Sequence, residues 1–105
     1  MAVGIGKSLS EVERSWFAQR IPSTLGTTPL NDIKRKYYMS ELGGTDVRFL
    51  GDLEVQWLRK VITAAGGTPS GNYSADLWKQ AVDSAGLRVS NSTDENKQTY
   101  YRNVA

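Results

Sequence analysis

Three groups of side chains have types and spacings that could do chemistry. Gly6-Lys7-Ser8 gives the last three residues of a phosphate-binding loop ahead of a helix. The full loop needs a glycine five residues before Gly6, and Met1 stands there. The triplet therefore reads as an arm running into a Ser8 helix cap. The second group is two carboxylate pairs, Glu11 with Glu13 and Asp52 with Glu54. Acid/base or metal chemistry needs the two carboxylates to converge, but residues two apart on a helix face different ways. The chain has no histidine and no cysteine. That removes the commonest general base, the commonest metal ligand, any thiolate site and any disulfide. Its serines have no imidazole to activate them. No catalytic residue, cofactor or metal is expected.

The third group is basic. Lys34, Arg35 and Lys36 run directly into Tyr37 and Tyr38, and Lys97 and Arg102 flank a second tyrosine pair. Lysine and arginine beside aromatic rings can hold phosphates and stack bases. The overall balance argues the other way. Thirteen basic against eleven acidic residues leave a net charge of only +2, and the pI of about 9.0 follows from a small excess in a chain without histidine. A helical reading also puts both tyrosines on the apolar face and the three cations on the exposed arc, so a solvated helix face is expected. Nucleic-acid binding is kept as the alternative. Asn72-Tyr73-Ser74 and Asn91-Ser92-Thr93 are formal glycosylation sequons, read here as turn and cap residues.

The elements that position these groups come from a repeat. Aligning Glu11, Asp32, Asp52, Asp76 and Glu95 gives spacings of 21, 20, 24 and 19 residues. An aliphatic residue follows the acid in four copies: Val12, Ile33, Leu53 and Leu77. Four positions further on stands a large aromatic in four copies (Trp16, Tyr37, Trp57, Tyr100), with Ala81 in the other. The next position is bulky throughout: Phe17, Tyr38, Leu58, Val82 and Tyr101. Leu9, Leu30 and Leu50 precede the first three acids by two. This is the face of an amphipathic helix written five times, best preserved in the third copy, where Val61 and Ile62 extend it. The fourth copy, DLWKQAV, carries its tryptophan forward at Trp78.

The pattern predicts an all-α array of five short helices over 8–20, 29–42, 50–65, 74–85 and 93–103. Each acid lies in a first turn, where it meets the positive end of the helix dipole. Ser8 with Glu11 and Ser92 with Glu95 have capping-box spacing. Pro29 after Thr28 reads as a first-turn proline behind a capping threonine. Gly26, Gly43-Gly44, Gly66-Gly67 and Gly86 supply the breaks. Segments 45–49 and 87–90 are the strand candidates and could form a minor two-stranded patch. The expected core is Leu9, Val12, Trp16, Phe17, Leu30, Ile33, Tyr37, Tyr38, Leu50, Leu53, Trp57, Leu58, Leu77, Tyr100 and Tyr101.

At 105 residues, with 39% hydrophobic and 23% charged, the chain suits one folded domain. Residues 1–7 read as an arm and 8–105 as a single helical domain. No apolar run reaches the length of a membrane span, and the N-terminus lacks the pattern of a signal peptide. A non-secreted protein without a membrane partner is expected.

The units SLSEVERSWF (8–17), PLNDIKRKYY (29–38) and FLGDLEVQWL (49–58), with NKQTYY (96–101) as a fainter copy, resemble the helical-repeat segments of tailed-bacteriophage structural proteins. The resemblance is to head- and tail-associated virion proteins of actinobacteriophages. It implies a non-enzymatic virion component, made in the host cytoplasm, that decorates or cements the assembled capsid. A head–tail junction or tail adaptor, or a small nucleic-acid-binding module using 34–38 and 97–102, are the alternatives. Capsid or other virion proteins are the implied partners, with self-association open. The arm 1–7 and the loops 20–28 and 66–73 are the expected contacts, since exposed loops commonly carry binding.

Overall fold

The computed structural model describes residues 8–21, 27–43 and 49–104. Among them the chain is all-helical: α1 (Leu9–Arg20), α2 (Leu30–Leu42), α3 (Leu50–Ala64), α4 (Ser74–Ser84) and α5 (Thr93–Asn103). Each predicted helix is present, displaced by no more than a residue at either end.

The ends follow from local chemistry. The N-cap falls three residues before the acid in all five copies: Ser8, Pro29, Phe49, Tyr73 and Ser92. Ser8 and Ser92 accept the N–H of Glu11 and Glu95, each at 3.3 Å, which satisfies one free donor of the first turn. The second half of the expected capping boxes differs. The Glu11 carboxylate accepts the Ser8 hydroxyl at 3.2 Å, and that of Glu95 accepts the Ser90 hydroxyl at 2.6 Å. In α2 the cap is Pro29 rather than Thr28. The Pro29 carbonyl already accepts from Asp32 and Ile33 N–H, and the Thr28 carbonyl is taken by Arg14 Nη1 at 2.8 Å.

α3 and α4 stop in the same way. Gly66 and Gly86 take positive φ, and the next residue turns its N–H back to Ile62 and Val82 carbonyls, both at 2.9 Å. Gly67 is also needed for closeness, since a Cβ there would lie 2.9 Å from Ile62 Cγ2.

No strand forms among the described residues, so the proposed two-stranded patch is not present; of its first segment, 45–48 lie outside them. In 87–90 the backbone has another partner. The Asn96 side chain donates to the Ser90 carbonyl at 2.9 Å and accepts its N–H at 2.7 Å, supplying the two bonds that a neighbouring strand would.

Every helix packs on its neighbours in the chain, and α1 packs on α5, so the five close into a ring. The last residues of all five helices border one hollow, so all five point the same way. At 1.5 Å per residue the helices are roughly 16–22 Å long. That fits the thin dimension of the 35 × 34 × 20 Å disc.

The core lies on the ring axis, and its members recur by position in the repeat. The residue after the acid is buried in every copy: Val12, Ile33, Leu53, Leu77 and Asn96. Asn96 holds an aliphatic slot, and its pairing with Ser90 offsets the cost of burying the amide. Phe17, Tyr38, Leu58, Val82 and Tyr101 form a second buried layer. Trp16, Trp57, Ala81 and Tyr100 are buried in a third, where Tyr37 is half-buried. Leu50 packs against the cluster partly buried, and Leu9 and Leu30 are half-buried. Trp78 and Ile62 belong to the core as well, at 0% and 1% exposed.

Candidate interaction sites at the two ends of the ring

The third layer forms the floor of a cup at the C-terminal end of the ring. Trp16, Tyr37, Trp57 and Tyr100 meet there at centroid separations of 5.3–6.2 Å; the Trp16–Tyr37 and Trp57–Tyr100 pairs are edge-to-face at 79° and 88°. The fifth place belongs to α4, and it holds Ala81. Four residues further along each helix stand Arg20, Glu41, Val61, Ala85 and Val104, which make the wall with Ala64 and Ala65. The hollow holds about 400 Å³, with Ala64, Ala65 and Ala85 exposed on its wall and Ala81 fully buried.

Arg20 is fixed at its edge. The guanidinium lies 3.6 Å over the Trp16 ring and donates to the Trp16 carbonyl at 3.0 Å, which caps α1. Trp16 Nε1 donates to the Val104 carbonyl at 2.6 Å, tying α1 to the end of α5. Across the cup the Tyr37 hydroxyl donates to Glu41 at 3.3 Å. Burial, and then the Glu41 carboxylate, push the Tyr37 hydroxyl up to about 12.

The other end has a different chemistry. Two residues after each acid stand Glu13, Lys34, Glu54, Trp78 and Lys97. Lys34 Nζ lies 2.5 Å from Glu13 Oε2, with side-chain exposures of 11% and 7%. Lys97 Nζ is 4.0 Å from Glu54, which also accepts the Ser74 hydroxyl at 3.1 Å. Lys97 lies 5.9 Å over the Trp78 ring. The buried hydroxyls of Tyr38 and Tyr101 sit near these groups. Burial first, with Glu13 and Glu54 adding to it, holds both well above the usual phenol value of 10.

This arrangement corrects one expectation: Lys34 is buried in an ion pair rather than solvated. The carboxylate pairs do diverge: Glu11 and Asp52 are exposed, while Glu13 and Glu54 turn inward. Among the described residues no three metal-ligating side chains come together, and no helix is long and apolar enough to cross a membrane. The five cations singled out by sequence do not form one patch. Lys34 and Lys97 belong to the inner ring of charge, Arg35 and Arg102 are half-buried, and Lys36 is exposed.

The expected contact segments are placed unevenly. The arm 1–7 and residues 22–26 lie outside the described residues. The loop 66–73 is described, and it is both exposed and tied down. Arg59 Nη1 donates to the Gly71 carbonyl at 2.8 Å. The Gln80 side chain donates to the Ser70 carbonyl at 2.8 Å and accepts its N–H at 2.9 Å. Asn72 is exposed, and Tyr73, closing the loop as the N-cap of α4, is 77% exposed. Its equivalent on α3, Phe49, is 83% exposed. Both stand where serine caps α1 and α5, and neither makes a cap bond.

Compared with protein-family models, curated proteins and solved structures, the chain gives no match.

Proposed function

We propose that this chain is a non-enzymatic structural component of a tailed-phage virion that docks on the assembled capsid as a decoration or cementing protein. The virion assignment rests on the resemblance of the repeats. One structural observation supports docking: the loop 66–73 is exposed, held by Arg59 and Gln80, and ends on the exposed ring of Tyr73. A pinned loop loses little conformational freedom on binding, and tyrosine is among the residues enriched at interface hot spots. Seats at the head–tail junction or in the tail would use the same loop. The nucleic-acid alternative is weaker, because two of its five cations, Lys34 and Lys97, are held in ion pairs with Glu13 and Glu54.

Virions stripped of the protein should lose stability to heat or chelation, and purified capsids should rebind it. Tyr73→Ser should weaken rebinding while leaving the far-ultraviolet circular dichroism unchanged. Absence of the protein from purified particles would end the proposal.

A further inference from the structure

Two helices begin on side chains that cannot cap them. Ser8 and Ser92 cap α1 and α5 through their hydroxyls, whereas α3 and α4 begin on Phe49 and Tyr73, which make no cap bond. An aromatic N-cap forgoes the hydrogen bond that serine makes there. Neither ring recovers that loss by packing, since Phe49 is 83% and Tyr73 77% exposed. A local rule broken without a gain inside the fold is a mark of function. α3 and α4 are neighbours that run the same way, and Ser74 Oγ donates to Glu54 at 3.1 Å, so both rings stand at the same end of one helix pair. Packed helices have axes roughly 8–10 Å apart, within reach of a single partner segment.

The surroundings of the two rings are acidic. Asp52 and Asp76 lie three residues inside the two caps, both exposed, and no first turn of the five helices holds a lysine or arginine. A groove of about 600 Å³ lies beside the pair, lined by Asp52, Val55, Gln56 and Arg59 of α3 and by Asn72 of the pinned loop. The face of an aromatic ring attracts a cation, and a carboxylate beside it supplies a charge-assisted hydrogen bond. Exposed rings next to carboxylates therefore select a cationic side chain. Nucleic acid is disfavoured, because the same carboxylates repel its phosphates.

We propose that Phe49 and Tyr73 form one docking surface for a basic protein segment, whose arginine or lysine side chains lie over the rings and pair with Asp52 and Asp76. The surface extends the docking seat at Tyr73 across to α3, and only its partner's source, the capsid, rests on the virion reading. The carboxylates steer the approach, so salt weakens the binding. The rings supply the contact that holds the segment in place.

Nuclear magnetic resonance titration of the full chain tests the surface. The probe is a short peptide alternating arginine and leucine, and its glutamate–leucine counterpart is the control. The basic peptide should shift the amides of Phe49, Asp52, Tyr73 and Asp76 at low salt and bind less as salt rises, while the acidic peptide should not bind. Phe49→Ser with Tyr73→Ser installs the residue that caps α1 and α5, so the fold should be kept while affinity falls about tenfold or more. Asp52→Asn with Asp76→Asn should weaken binding comparably. Glu11→Gln with Asp94→Asn, the same charge change elsewhere on the rim, should weaken it less than about threefold. Binding that survives the double serine variant, or that falls equally with either pair of carboxylates, overturns the proposal, as does a basic peptide that fails to bind. Purified capsids should rebind the wild-type chain and not the double serine variant. Capsids that bind both alike overturn the surface, whereas absence of the protein from virions removes the capsid as the source alone.

Discussion

The two ends of the ring are built from the same five helices at equivalent repeat positions, yet one is an apolar hollow while the other gathers charged side chains. One residue moved by about a turn also sets them apart. In α3 the tryptophan, Trp57, stands at the cup. In α4 it stands three positions earlier, as Trp78, among Glu13, Lys34, Glu54 and Lys97. Trp78 stays fully buried and packs on Tyr100 and Tyr101 at 5.7 and 5.5 Å, so the core keeps its aromatic mass. What changes is which end of the ring the indole serves. The shift puts an indole beside the charged groups and leaves a small, fully buried Ala81 in the aromatic layer, so a departure from the repeat is as informative as the repeat itself.

The largest expected effect tests the charged end. Tyr38 and Tyr101 have folded-state pKa values raised well above 10 by burial, so the folded protein holds their protons where the unfolded chain releases them. Stability is therefore fully present below pH 10 and is lost as pH rises beyond it. Tyr37, raised to about 12, contributes in the same direction from the cup. Circular dichroism against pH should show cooperative alkaline unfolding that begins above pH 10. Tyr101→Phe should make the pH dependence shallower, and an unchanged profile would contradict the placement of that hydroxyl.

Next in size is the cup floor. Trp57 is 1% exposed and touches rings from α1, α2, α4 and α5. Trp57→Ala should cost about 3–5 kcal/mol in a urea melt. A loss below about 1 kcal/mol would remove Trp57 from the core.

The two ion pairs of the charged end separate more finely. Lys34→Met leaves the buried Glu13 carboxylate without its partner and should cost about 3 kcal/mol. Lys97→Met breaks a looser and more exposed contact at 4.0 Å and should cost under about 1 kcal/mol. Equal costs would mean that both pairs are solvated alike. The smallest effect belongs to the rim of the cup, where Ala65 is exposed: Ala65→Arg should change stability by no more than about 0.5 kcal/mol in a urea melt, and a larger loss would place Ala65 in the core.

Much of this fold is legible in the sequence because each copy carries its own boundary signals. The acid marks the first turn, the glycines stop α2, α3 and α4, and the aromatic pair marks the buried face. Closure of the ring is not legible, because the contact between α1 and α5 joins elements at opposite ends of the chain and neither pattern names its partner. Lys34 was hidden for a related reason. In α2 alone it is one of three consecutive cations, and only Glu13 on the neighbouring helix makes its burial tolerable. Asn96 breaks the aliphatic pattern, and its compensation lies six residues upstream, in the backbone of Ser90. The cup was the least visible feature, since alanine at positions 64, 65 and 85 signals space only once the rings around it are placed.

The bond from Trp16 Nε1 to the Val104 carbonyl has a consequence for synthesis. An open solenoid can begin to fold from its first repeats, since each needs only its predecessor. Here α1 lacks one of its two flanking helices until residues 93–104 have left the ribosome. The nascent chain must shelter an unfinished aromatic face until then, and the last turn of α5 acts as the clasp that commits the whole ring at once.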